Sequence, residues 1–395
     1  MTKLLLAMWV IRWVQVSSTT GAIPNPGGSN QQTGMLVAEL DRKPGADIVI
    51  SYRVHAPALV WIARDGNGWK RRVIESEFLR LEAGGASFDI DRDGDTDIVF
   101  GADASGKELW WWENPYPRFE EGVNWKRHII KNDGANQHHD QAFADILGTG
   151  RPQLIFWNQK AKTLFLAPVP DNPRTTESWP RQVIFSGQAG EDVDNAAKYA
   201  EGLHAFDVDG DKRLDILAGN AWFRHEGGGA FRSTRIGVIG GRIKAGHFRQ
   251  GRNAQVVIGP GDGSGPLRFY ECDGDARDPA CWKGRDLLGR PLTHGHTLDV
   301  GDIDGDGHLD IFAAEMAKWG RGEQPDHPGA TAWILYGDGR GNFRPTVLVE
   351  GHGWHEGQLA DVDGDGDLDI VNKPYTWQAP RLDFWLNNGT KGRRR

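Results

Sequence analysis

Two cysteines and four methionines are all the sulfur in this 395-residue chain, and no apolar run reaches the length of a membrane span. At most one internal disulfide can form. Acidic and basic residues nearly balance, 54 against 46, giving a net charge of −8. No basic face or nucleic-acid motif stands out, so nucleic acid is not an expected partner. Cys272 and Cys281 sit close together in Glu-Cys-Asp-Gly-Asp-Ala-Arg-Asp-Pro-Ala-Cys-Trp. A local disulfide in an exported protein, or two free thiols elsewhere, are both open readings.

What the chain has is acid-rich loops. The pattern Asp-x-Asp-Gly-Asp-x-x-x-Asp is intact at Asp302, Asp304, Asp306 and Asp310, and again at Asp361, Asp363, Asp365 and Asp369. All four acids also stand at Asp89, Asp91, Asp93 and Asp97, and at Asp207, Asp209, Asp211 and Asp215. Carboxylates on alternate residues around a glycine turn, closed by an acid four residues on, make an oxygen-lined loop suited to calcium. An EF-hand would need a later last acid and a helix on each side. Here each loop runs into an apolar β-type segment such as Asp-Ile-Val-Phe or Asp-Ile-Phe-Ala, so it joins two strands.

Weaker copies fill the gaps. Glu39-Leu-Asp41 with Asp47 keeps the spacing but has Lys43 for one acid, the loop at Asp145 keeps one acid, and that at His247 keeps none. The last two are expected to hold no ion. Seven anchors (39, 89, 145, 207, 247, 302 and 361) thus divide the chain into units of several short strands. That is the signature of an all-β, seven-bladed propeller, with acid loops between the first and second strands of several blades. Segments such as 59–64, 109–114, 332–336 and 382–387 read as third strands, and the 17 tryptophans mostly as filling between blades. The seventh unit ends one strand short, and Trp9-Val-Ile-Arg-Trp-Val-Gln-Val is spare at the start, so an N-terminal strand is expected to close the ring. This gives an extension or signal remnant at 1–7, a propeller at 8–389 and a basic tail at 390–395. The start resembles a signal peptide interrupted by Arg12. With the calcium loops, it points to a secreted or periplasmic protein.

Aligned on their anchors, the units place His139, Glu201, His296 and His355 at the same position, six residues upstream. That is the far end of each innermost strand, beside the axis and on the face away from the acid loops. His138 and Glu356 adjoin it, and Arg242 and Lys244 come from the fifth unit. Second strands end on the same face with Arg53, Lys160, Lys373 and Tyr375. A funnel with a His/Glu floor and a cationic, aromatic wall is expected. One histidine in a strand is usually structural, and propeller channels are often merely wet. A ring of buried titratable groups in register points instead to a site.

The repeats resemble the FG-GAP or VCBS family of calcium-binding propellers over nearly the whole chain. Through His138-His139-Asp140, His294-Gly-His296 and Trp354-His355-Glu356, the chain is also similar in design to aldos-2-ulose dehydratase and to L-rhamnose-α-1,4-D-glucuronate lyase. That resemblance implies β-elimination on a keto-sugar or a uronate-containing glycan. In such a funnel His139 is expected as base and acid, with His138 as the alternative. His296 and His355 would assist beside Glu201, while Arg53, Arg242 and Lys244 hold a carboxylate. Lys160, Lys373, Tyr375 and Glu356 complete the substrate contacts. Structural calcium, and a transition metal such as zinc at the histidines, are the cofactors in view. A non-catalytic carbohydrate- or protein-binding propeller, and a glycosidase using Glu201 and Glu356, are the competing readings. A monomer is expected.

Overall fold

The structure is a computed structural model that describes residues 11–187, 200–319 and 324–390. The proposed extension at 1–7, the first residues of the spare strand and the tail beyond 390 lie outside the described residues. Seven four-stranded antiparallel sheets follow one another along the chain. Their innermost strands are Gln32–Ala38, Ala86–Phe88, His138–Ala144, Leu203–Phe206, Ile243–Gly246, Thr297–Gly301 and His355–Ala360. Each contacts the next, and the seventh contacts the first, so the sheets form the blades of a ring. Every anchor picked out in the sequence is the residue directly after one of these strands. The last blade uses both ends of the chain, because Ile11–Ser17 pairs antiparallel with Asp383–Thr390.

The apolar residues explain the ring. Each strand alternates, sending side chains to both faces of its blade, so the core is divided into seven clusters, one between each pair of neighbouring blades. Trp157 shows how these clusters lock. Its indole is fully buried against blade 4, and its Nε1–H donates to Gly202 O at 3.2 Å. Truncating such a residue to alanine costs about 3–5 kcal/mol. Among the described residues no helix is long and apolar enough to cross a membrane. Cys272 and Cys281 form a disulfide across the turn that joins the last two strands of blade 5.

The closing acid of the loop motif serves the fold. Asp97, Asp310 and Asp369 are almost fully buried, and each accepts the backbone N–H of the residue after the anchor: Ile90 at 2.9 Å, Ile303 at 2.9 Å and Val362 at 3.0 Å. Their second oxygens accept N–H groups near the third strand, from Asn114, Gly337 and Asn387. Asp215 does the same with Val208 and His225. Asp97, Asp215, Asp310 and Asp369 thus each clip the backbone, a role the motif alone did not announce. Burial pushes the Asp97 carboxyl up to about 8 and that of Asp310 to about 7. The clip persists where the rest of the loop has degenerated. Asp47 holds Leu40 N at 2.7 Å, and glutamines stand at the same position in blades 3 and 5. Gln153 accepts from Leu147 N at 2.9 Å, and Gln255 from Arg249 N at 3.0 Å.

Candidate active site at the propeller axis

The innermost strands of blades 3 and 7 and the segments leading into those of blades 4 and 6 bring four predicted residues together. His296 Nε2 lies 2.9 Å from Glu201 Oε2, His139 Nε2 lies 3.9 Å from the same oxygen, and the His139 and His296 rings are 5.6 Å apart. His355 stacks on His296 at 4.3 Å, and Tyr375 stacks on His355 at 4.8 Å. All three histidines and Glu201 are at least 95% buried. Gly261 makes room for this arrangement, since a Cβ there would sit 1.8 Å from Glu201 Oε1.

Two bulges shape the floor. Pairing shifts register between His139 and Gln141, and again between His355 and Gln358. The residues inside, Asp140 (φ 45) and Glu356 (φ 57), adopt left-handed conformations that are strained for non-glycine residues. Simple alternation would send neighbours to opposite faces; the bulges turn His139 and Asp140 both towards the axis. Asp140 Oδ2 lies 3.0 Å from His139 Nδ1, and Arg242 Nη1 lies 3.0 Å from both Asp140 oxygens and 3.8 Å from Glu356 Oε1. This buried Asp140–Arg242–Glu356 layer is a plug. Beyond it, towards the acid loops, a cavity of about 360 Å³ is lined by Gln141, His204, Lys244, Asp299 and Gln358.

The electrostatics follow from these contacts. Burial works against a charge on His139, but Asp140, then Glu201, hold its imidazolium up to about 10. Burial likewise opposes the Asp140 and Glu201 charges, yet Arg242 with His139, and His296 with His139, keep both carboxyls below their ordinary values. Burial and Lys373 push His355 well down, so it is neutral. Lys373 Nζ sits within 2.8 Å of Gln32 O, Thr33 O and His355 Nδ1. Burial lowers its ammonium to about 7, while three acceptors match its three N–H bonds.

Several expectations are corrected. His138 points away from the axis, into the blade, with its Nε2 3.1 Å from Lys131 Nζ and from Lys107 O, so it is no alternative base. His139, expected as a base near neutral pH, has its charged form favoured by Asp140 and Glu201. Arg242 is bound to Asp140, and Lys244 lies in the other cavity, 2.9 Å from Asp299. Arg53 is paired with Glu82 and with Asp103. None of the three is free for a substrate carboxylate. Lys373 is fully buried behind His355, and Lys160 is exposed in a turn. Glu356 accepts the N–H groups of Met35 and Gly84, both at 3.1 Å.

Two contributors had escaped the sequence reading. Asp140 was in plain view beside His139, but only the bulge brings it to the axis. Asp262 follows the second strand of blade 5, the position that supplied wall residues in the other blades. Its N–H donates to Glu201 Oε1 at 3.0 Å, and its carboxylate lies 3.3 Å from Lys318 Nζ, which with Tyr375 lines the approach to the cluster. Burial notwithstanding, His296 and Lys318 draw its carboxyl down to about 2.

The acid loops also differ among themselves. In blades 6 and 7 the first three acids converge, Asp302 with Asp304 and Asp306, and Asp361 with Asp363 and Asp365. In blades 2 and 4 the convergent sets are Asp89, Asp91 and Asp97, and Asp207, Asp209 and Asp215; Asp93 and Asp211 fall outside them. Buried carboxylate oxygens with no hydrogen-bond partner occur in loops of both kinds: Asp363 Oδ1 in blade 7, Asp89 Oδ1 in blade 2 and Asp209 Oδ1 in blade 4.

Residues 302–371 match the model of the FG-GAP-like repeat family. No curated protein matches the sequence. Among solved structures, the chain is similar to the lectin BP39L from Burkholderia pseudomallei (12% identity over 91% of this chain and 98% of that one, TM-score 0.60). It is also similar to a lectin from Agrocybe aegerita that recognises non-reducing terminal N-acetylglucosamine (16% identity, 81% and 80% covered, TM-score 0.52). A rhamnogalacturonan lyase from Bacillus licheniformis aligns at 14% identity over 95% of this chain and 76% of that one, with a TM-score of 0.50. At such identities the likeness is one of fold. The chain is a seven-bladed β-propeller carrying an FG-GAP-like repeat at residues 302–371.

Proposed function

We propose that the protein is a carbohydrate-active carbon–oxygen lyase, acting by β-elimination on a uronate-containing glycan or a keto-sugar. One observation carries the reading: His139, backed by the Asp140 carboxylate, and a Glu201-oriented His296 lie side by side at the axis. With Nε2 of His296 turned to the Glu201 carboxylate, its Nδ1, which has no protein partner, is the nitrogen that can accept a proton. The C–H bond α to the carboxylate or carbonyl breaks towards that nitrogen. His139 neutralises the charge that develops on the substrate oxygen. The carbon–carbon double bond forms as the β-oxygen departs, taking its proton from Tyr375 Oη, which Arg53 Nη1 supports at 3.0 Å.

The donor set also fits a transition-metal ion such as zinc. Ligand atoms of His139, Glu201 and His296 lie within 4.8 Å of one another, and Asp140 backs His139 as carboxylates commonly back metal-bound histidines. Such an ion would supply the positive charge that a proton otherwise places on His139. The converging acids of the loops, with the orphaned Asp363 Oδ1, fit calcium in the role of a structural cation. A disulfide and calcium loops together support an exported protein.

A non-catalytic carbohydrate-binding propeller is the second reading. It is favoured by a rim groove of about 530 Å³ between blades 1 and 2, lined by Phe119, Trp125, Arg71 and Arg72. Ultraviolet absorbance from a new conjugated double bond separates the two, tested on uronate glycans and keto-sugars. Wild type should show it, and His296→Ala should lose about 10²–10⁴-fold in rate. Binding without any rise on a broad panel would sink the lyase reading, and reducing-sugar release without absorbance would point to hydrolysis. Running the assay with and without added zinc tells a proton from an ion at His139.

A further inference from the structure

Two of the four complete acid loops already contain a cation. In blade 2, Arg174 reaches across from the loop after the third strand of blade 3. Its Nη2 lies 2.7 Å from Asp91 Oδ2, 3.1 Å from Asp93 Oδ2 and 3.1 Å from Glu113 Oε1. In blade 4, Arg224 on the third strand places Nε 2.8 Å from Asp209 Oδ2 and Nη2 2.8 Å from Asp211 Oδ2. Both arginines grip the second and third acids of the motif. These are the loops in which the third acid, Asp93 or Asp211, has left the convergent set.

Blades 6 and 7 contrast on each count. Among the described residues no lysine or arginine nitrogen lies within 4.0 Å of the carboxylates of Asp302, Asp304, Asp306, Asp361, Asp363 or Asp365. Their turns carry glycine at both left-handed positions, Gly305 (φ 69) with Gly307 (φ 91), and Gly364 (φ 79) with Gly366 (φ 89). The blade 2 loop has Arg92 (φ 67) at the first, and the blade 4 loop has Lys212 (φ 69) at the second.

We propose that Arg174 and Arg224 are built-in cations that take the place of calcium in the loops at 89–97 and 207–215, leaving 302–310 and 361–369 as the loops that bind it. A guanidinium neutralises two carboxylates with directed hydrogen bonds and needs no dehydrated ion. It also turns the third acid away from the position an ion needs. The same circular fold is therefore stapled in two ways, by internal ion pairs in one half and by exchangeable ions in the other. This rests on the calcium reading of the acid loops.

The test is the number of calcium ions bound per chain, measured by elemental analysis after equilibrium dialysis and by titration calorimetry. Wild type should bind two. Arg174→Leu and Arg224→Leu should each bind three, and the double variant four, with circular dichroism confirming the fold. Asp304→Asn and Asp363→Asn should each bind one. No calcium in wild type would sink the calcium reading and the inference together. Wild type binding three or four would overturn the inference while the calcium reading stands. Two in wild type and still two in both folded arginine variants would overturn it as well. If a leucine variant does not fold, Arg174→Gln and Arg224→Gln give the same comparison, because a neutral side chain cannot replace the ion.

Discussion

Replacing Arg242 by leucine should unseat the plug at the axis. Its guanidinium is bound at 3.0 Å to both oxygens of Asp140 and faces Glu356 at 3.8 Å, in a largely buried layer. Removing one partner of a buried ion pair costs about 3–5 kcal/mol, because the other charge remains buried. Unfolding entropy of about 2.1 cal/mol/K per residue, over 395 residues, comes to roughly 0.8 kcal/mol per degree. Arg242→Leu should therefore lower Tm by roughly 4 to 6 °C at pH 7. The pH dependence carries its own sign. Asp140 is held below its ordinary carboxyl value, so its contribution is present above about pH 4 and lost as pH falls through the folded value. In the variant that depression is gone, so the gap between the two proteins should be widest at neutral pH and narrow towards acid. Glu356→Gln in the leucine background should recover part of the loss. Scanning calorimetry from pH 7 down to about pH 2 checks all three points, since the narrowing falls below about pH 4. A gap that does not change with pH, or a variant as stable as wild type, would refute the assignment of Arg242 as the counter-charge of the axis.

Cys272→Ser should cost about 2–3 kcal/mol, the loop-closure term for a short disulfide loop, seen as a lowered denaturant midpoint. Chelation of calcium should lower Tm reversibly, by about 2.7 kcal/mol of stabilisation when the ion had been present at 100 times its Kd; a Tm unmoved by chelator would count against the ion-holding role of 302–310 and 361–369.

The architecture was readable because it repeats. A period of Asp, Gly and β-branched residues gave all seven loop positions, and with them the ends of the innermost strands. Register then placed His139, Glu201, His296 and His355 around one point with no coordinates at all. What register could not give was direction at a bulge. Asp140 and Glu356 reach the axis through left-handed backbone that no residue type announces. For the same reason Arg242 and Lys244, adjacent in the expected wall, fall on either side of a plug. Nor does a motif reveal its counter-ion: Arg174 lies 81 positions from Asp93. The clip role of Asp97 and its equivalents was hidden by the same acid being a plausible ligand. Gln153 and Gln255 at the matching position were the signal that the backbone is a partner of this side chain.

The blade made from both ends of the chain bears on synthesis. Gln15 and Asp383 are side-by-side neighbours in that blade yet 368 positions apart. At about 5–20 residues per second, Ile11–Ser17 waits between about 20 and 70 s for its partner strand to be made. Throughout that interval it is an open β-edge bearing Trp13 and Val14, able to pair with whatever strand it meets. The ring can therefore be shut only after Asp383–Thr390 has been made, the last of its described strands.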